Sequence, residues 1–235
     1  FAHGDIFMIG GYLAFYAVST FFMPWWVAVA VAIGLTTIFG IGLERAAYRP
    51  LRDSPRISIM ISAIGASFLI ENLAIVLFDA RPKAFPVPEF FARNLVVEGV
   101  HIASVSLIIP LVTAVALAVL LWIVYRTRVG MAMRAVSTDI DAARLMAIDV
   151  NRIVSLTFAI GSALAAIGGI MFALKYPRLE PLMGIMPGLK CFIAAVVGGI
   201  GSIAGAVLGG LLLGVIELMT IAFLPELTGY KDAFA

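Results

Sequence analysis

The chain has 235 residues, 63% of them hydrophobic and 13% charged, with a formal net charge of +2 and a mean hydropathy of +1.10. A soluble domain carries about 45–50% apolar and about 25% charged residues, so this chain has too little polar surface for a water-soluble globule and lipid is its expected solvent. The near-neutral balance excludes a basic field for nucleic acid, and the single Cys191 excludes an intrachain disulfide or a multi-cysteine metal site.

In lipid, backbone polar groups must be satisfied within the segment, so each spanning helix needs about 20 apolar residues. No signal peptide is visible, and the chain opens on Phe1 rather than Met, so a missing or processed N-terminus is expected. Residues 7–22 predict a short, tilted or partly buried span, with His3 and Asp5 ahead of it as membrane-edge caps. A Met23-Pro24 turn leads to a span over 25–43, then a connection bearing Arg45, Arg49, Arg52 and Arg56. The next span, 57–78, contains Gly65-Ala66-Ser67 and the polar pair Glu71 and Asn72. Residues 79–103 set Pro82, Pro86 and Pro88 beside Phe85, Phe90 and Phe91, which suits a packed cap or a plain connector.

Spans over 105–125 and 153–174 flank a long connection with Arg126, Arg128, Arg134, Arg144 and Arg152. Residues 189–200 are too few to cross and run into Gly198, Gly199 and Gly201. They predict a broken or re-entrant helix, opened by Lys190 and packed against protein. Cys191 in this run is expected to be buried and inert. A last span, 203–224, carries Glu217. The expected fold is therefore all-α: a polytopic transmembrane helical bundle forming one domain over 1–235.

The 44–56 and 126–152 connections hold nine Lys or Arg, against five (Arg81, Lys83, Arg93, Lys175, Arg178) in the 79–103 and 175–188 connections of similar total length. The arginine-rich pair is expected to be cytoplasmic. Within it, Thr138 is an N-cap candidate, and Asp139 and Asp141 complement a helix dipole. They predict a short helix near 138–148, about ten residues or 15 Å long. Ala142, Ala143, Leu145, Met146 and Ile148 on it are too apolar for a solvated loop, so it either docks on another protein or lies on the membrane.

Ionisable groups in spans cost roughly 2.5–3.5 kcal/mol each at a helix centre. Glu71, Asn72, Lys190 and Glu217 are therefore expected to face a cavity or one another, as pathway lining or as a structural lock. Small residues four apart put a smooth stripe on two helices, permitting close backbone approach. They are Gly161, Ala165 and Gly169 in one, and Gly201, Gly205, Gly209, Gly210 and Gly214 in the other. A serine nucleophile at Ser67 would need a base, and the only histidines, His3 and His101, fall outside the hydrophobic runs. No GxxxxGK[ST] phosphate loop is present, so an ATP site of that type is excluded from this chain.

Several motifs, in order, carry a resemblance over nearly all 235 residues. They are Phe1-Ala2-His3-Gly4-Asp5 with Gly10; Glu44-Arg45-Ala46-Ala47-Tyr48-Arg49-Pro50-Leu51-Arg52; Gly130 with Arg134-Ala135 and Ala142-Ala143; Asn151-Arg152-Ile153; Phe158-Ala159-Ile160-Gly161; Gly188-Leu189-Lys190; and Val197 through Ser202 with Gly205-Ala206. With them the chain resembles the permeases of branched-chain amino acid ABC transporters. The resemblance implies a multi-pass protein of the bacterial inner membrane working by alternating access. Its implied partners are a second permease subunit, two cytoplasmic ATPase subunits and a periplasmic substrate-binding protein. ATP would be bound by those partners, with no cofactor in this chain.

The resemblance also implies that residues 130–152 dock on the ATPase. The residues concerned are Gly130, Arg134, Ala135, Ala142, Ala143, Arg144, Leu145, Ala147 and Arg152. The family pattern usually has glycine where this chain has Ala147. It also usually has hydrophobic segments before Phe1 and after Tyr230-Lys231-Asp232, so the chain is expected to be a trimmed piece. Branched-chain or related amino acids are the expected cargo; amides or urea are alternatives, as is a secondary transporter or channel without an ATPase.

Overall fold

The computed structural model describes residues 2–52, 54–92, 94–97 and 100–223; Phe1, Arg93, Leu224 and the Tyr230-Lys231-Asp232 stretch lie outside them. In chain order the helices are α1 (Ala2–Ser19), α2 (Trp25–Leu43), α3 (Arg56–Phe78), α4 (Glu89–Ala92), α5 (Ser104–Arg126), α6 (Arg128–Thr138), α7 (Ile140–Leu145), α8 (Val150–Lys175), α9 (Ile185–Val197) and α10 (Ile203–Phe223). A π-helical turn (Glu44–Tyr48) and a 3-10 turn (Arg49–Leu51) continue α2. Four short strands complete the described chain: β1 (Lys83–Ala84) pairs antiparallel with β4 (Arg178–Leu179), and β2 (Asn94–Val97) with β3 (Val100–Ala103).

Five of these helices are long and apolar enough to cross a membrane: α2 with its continuation to Leu51, α3, α5, α8 and α10. They expose apolar side chains outward, such as Leu111 and Trp122 on α5 and Leu208 and Leu211 on α10. Lipid is as apolar as these side chains, so outward Leu and Trp cost nothing there and packing must come from shape. The chain is a multi-pass helical membrane protein.

Helix α1 departs from the expected short span. It starts at Ala2, and eleven of its eighteen residues are buried between α2, α3, α8 and α9. His3 and Asp5 are therefore inside the helix, not caps ahead of it, and Asp5 is only 2% exposed. Shape permits the burial. A methyl at Gly10 would lie 2.6 Å from the Ala166 Cα, and one at Gly169 would overlap the Phe7 carbonyl oxygen, so α1 and α8 touch backbone to backbone.

The two ends of the bundle differ. At one, the turns after α2 meet the start of α8, on which α6 and α7 also pack, joining both arginine-rich connections: Arg52 Nη1 donates to Asn151 Oδ1 at 2.6 Å. At the other, Phe85 and Phe91 of the 79–103 connection are buried against Trp25, with ring centroids 5.9 and 5.7 Å away. This connection is a packed cap, and its strands are small additions to the all-α expectation. Lys83 Nζ adds a bond to Tyr16 Oη at 2.6 Å, tying the cap to α1.

Two more boundaries move, and one side chain is placed differently. The short helix expected near 138–148 is the six-residue α7, with a separate helix ahead of it: Thr138 ends α6, and Asp139, not Thr138, caps α7 by accepting from the Asp141 and Ala142 amides. Thr138 instead donates back to the Arg134 carbonyl, a bond open to a residue in a helix's last turn but not to a cap. The short helix starts at Ile185 and ends at Val197, and the chain turns through Gly199 (φ 91°) and Gly201 (φ 97°) before α10. Cys191 is exposed rather than buried, because this face of α9 looks into an open cavity.

Candidate functional site

Helices α6 and α7 form a bracket at the arginine-rich end. Thr127 starts it: its Oγ1 accepts from the Gly130 amide at 3.1 Å and donates to the Ile123 carbonyl at 2.6 Å. A methyl at Gly130 would overlap the Ile123 and Val124 carbonyl oxygens, so glycine lets the chain fold tightly back on α5. Arg134 lies over the Tyr125 ring at 5.3 Å. Val136, Ala143 and Val150 form a small core with Ile148, Ile153 and Val154, fixing the bracket to α8. Ala143 is thus spent on the chain's own packing, whereas Leu145 and Met146 beside it are 88% and 78% exposed.

The turn after α7 has a specific shape. The Ile148 amide donates to the Ala143 carbonyl at 3.1 Å and the Ala147 amide to that of Arg144 at 3.0 Å. These two bonds define a Schellman motif, whose penultimate position takes a left-handed backbone. Ala147 occupies it with φ 57°. Asp149 Oδ1 then caps α8 through the Arg152 amide, and its other oxygen pairs with Arg152 Nε at 3.1 Å. Arg144 pairs with Asp141 at 3.4 Å, while Ala135 is half-buried and Ala142 exposed.

The four polar residues within spans separate into two places. Lys190 Nζ and Glu217 Oε2 pair at 2.9 Å, and both line an apolar cavity of about 1040 Å³ between α5, α8, α9 and α10. Glu71 and Asn72 sit on α3. Asn72 Nδ2 donates to its own helix at the Phe68 carbonyl, and Glu71 lies within electrostatic reach of Asp5. Asp5 accepts from Ser67 Oγ, so the Gly65-Ala66-Ser67 turn supplies the hydrogen bond that a carboxylate buried in α1 requires.

The small-residue stripe also divides. A methyl at Gly205 would overlap the Gly198 carbonyl oxygen and one at Gly209 that of Ala194, which is how α9 and α10 close into a hairpin. At Gly161 it would meet the His3 ring at 3.1 Å. Gly210 has only the Ala194 Cβ at 4.0 Å, and Gly214 and Gly201 have nothing within 4 Å. Gly201 serves the turn. Gly210 and Gly214 line the cavity.

One cluster escaped the sequence reading. Glu44, fully buried, accepts from Arg52 Nη2 at 2.6 Å and from Ser155 Oγ at 2.7 Å, and Arg52 also holds Asn151. The signal was the acidic Glu44 opening the arginine-rich run; its partner Ser155, 111 residues away, gave none.

The family described as "Branched-chain amino acid transport system / permease component" matches residues 1–235. The high-affinity branched-chain amino acid transport system permease protein BraD of Pseudomonas aeruginosa is 40% identical, over 100% of this chain and 80% of its own length. LivH of Escherichia coli, with the same description, is 38% identical over 99% and 78%. An autoinducer 2 import system permease protein, LsrC of Klebsiella pneumoniae, is 33% identical over 43% of this chain and 31% of its own. No solved structure matches.

Proposed function

The chain belongs to the permease component family of branched-chain amino acid transport systems, and from that premise we propose that it passes a branched-chain amino acid inward by alternating access, driven by an ATPase docked on α6 and α7. It is a non-catalytic membrane subunit, so its contribution is two packings of its helices, biased by partners that bind one better than the other. Partners proposed are a second permease, two cytoplasmic ATPases and a periplasmic binding protein. The arginine-rich end would then be cytoplasmic, as the charge bias favours.

The observation that carries the docking reading is the exposure of Leu145 and Met146 at the tip of a bracket braced on α8. Two large apolar side chains held out at the polar end of a membrane protein suit insertion into a partner's groove. Ala143, Arg134 and Gly130 brace the bracket, and Ala135, Ala142, Arg144, Ala147 and Arg152 shape its surface. For the cargo, the Lys190–Glu217 pair amid apolar walls offers a cation, an anion and a hydrocarbon surface, as a zwitterion with a branched side chain requires. Glu71 and Asn72 are the weaker pathway candidates, Asn72 being bonded to its own helix and Glu71 lying near Asp5.

Leu145→Asp and Met146→Asp test the docking. Either would bury a charge without a partner, at a cost of about 2–4 kcal/mol or roughly 30- to 1000-fold in affinity. Co-purification of the ATPase and substrate-stimulated ATP hydrolysis should both fall, with the permease's melting temperature unchanged. Undiminished co-purification in both variants would show that α7 lies on the membrane instead.

A further inference from the structure

A second cavity, of about 510 Å³, opens at the arginine-rich end between the turn that continues α2 and the first turns of α8. Its lining is graded. Arg45, Arg49 and Arg152 stand with Asp149 and Asn151 at the polar rim, whereas Ile41, Leu156 and Ala159 belong to α2 and α8 and form an apolar wall. Asp149 already neutralises Arg152 through their 3.1 Å pair. Arg45 and Arg49 are exposed and have no carboxylate partner among the described residues, so within these residues both charges of the lining stay unpaired.

Neither arginine is needed to hold the fold. The neighbouring Arg52 does that through Glu44 and Asn151, and in doing so fixes the wall behind the pocket. Asn151 Oδ1 accepts from Arg52, so this lining residue is held in place by that bond. An occupant must therefore bring an anion to the membrane edge and hydrocarbon into the membrane beside Ile41 and Leu156. A soluble anion satisfies only the first demand. A partner protein in water reaches the rim but not the wall between two spanning helices. Basic pockets between such helices at a membrane surface suit phospholipid headgroups.

We propose that this pocket is a binding site for an anionic phospholipid, its phosphate held by Arg45 and Arg49 and its acyl chains laid against Ile41, Leu156 and Ala159. The proposal goes beyond the transport reading and does not require that α7 dock an ATPase. A lipid there would bridge α2 and α8 beside the bracket's attachment, so its loss also loosens the base on which α7 stands.

The test uses the full permease in its complex. Lipids retained after mild extraction are counted by native mass spectrometry, and affinity is measured in nanodiscs of phosphatidylcholine doped with phosphatidylglycerol. Retention should favour phosphatidylglycerol. Arg45→Gln/Arg49→Gln should weaken it about 25-fold, at about fivefold per arginine. Arg45→Lys/Arg49→Lys should retain most of it, which separates lost charge from lost fold. Arg178→Gln, at the opposite end, should change nothing.

Equal retention of the two lipids, or an unchanged glutamine pair, overturns the proposal. So does displacement by excess inorganic phosphate, which assigns the site to a free anion. Loss of the ATPase from the glutamine pair with lipid retention intact also overturns it, assigning the rim to a protein contact.

Discussion

Replacing Ala147 by glycine should stabilise the turn that ends α7, although it removes a side chain. At φ 57° the Ala147 Cβ crowds its own backbone, a penalty of roughly 1–2 kcal/mol for an L-residue in the left-handed region. Glycine escapes that penalty but loses more freedom on folding, which returns about 0.4–1 kcal/mol. The methyl is exposed, so no packing is lost. The net gain should be about 0.5–1 kcal/mol, confined to the Schellman turn whose bonds join Ile148 to Ala143 and Ala147 to Arg144. Hydrogen exchange reads it directly: the Ala147 and Ile148 amides should exchange about two- to fivefold more slowly, because a tenfold change corresponds to 1.4 kcal/mol. Ala142→Gly, exposed within the same helix, should speed local exchange, since glycine there costs about 0.5–1 kcal/mol with no strain to relieve. Equal or faster exchange in Ala147→Gly would refute the reasoning, showing that the left-handed turn is not where the bracket stores strain.

Glu44→Ala should lower stability by about 2–3 kcal/mol, below the 3–5 typical of a broken buried pair because Arg52 keeps Asn151, while Glu44→Gln retains acceptor and shape and should lose less. Thermal unfolding in detergent checks it, and a Glu44→Ala protein as stable as its parent would mean that the network is incidental. Gly205→Leu should open the α9–α10 hairpin by overpacking, at about 1–3 kcal/mol. Gly214→Leu should leave the melting temperature alone, because among the described residues no other helix comes within 4 Å of a methyl there; a matching loss in both would return Gly214 to the packed stripe.

Helix caps show how far reading along the chain reaches. Thr127, Asp139 and Asp149 cap the helices they precede, and their partners lie two or three residues on. Such bonds are local and can be sought in sequence, yet Thr138 was the cap expected where Asp139 acts, because both residue types suit the position. Ala147 was noticed as a departure from glycine, but that its backbone is left-handed required the turn itself.

By itself the sequence determined the lipid solvent and the spans over 25–43, 57–78, 105–125, 153–174 and 203 onward, within a few residues. The reason is that a helix in lipid satisfies its backbone internally, so length and apolarity decide it residue by residue. The ordered motifs determined the family. Only the tertiary structure decided that α1 is the buried centre, that Lys190 meets Glu217 while Glu71 stays near Asp5, and that Glu44 joins Ser155. It also decided which glycines touch a neighbour and which face open space. Apolar helices in lipid gain nothing from merely facing one another, so their partners follow from backbone shape and a few long-range polar bonds, and neither is written in the composition of any one span.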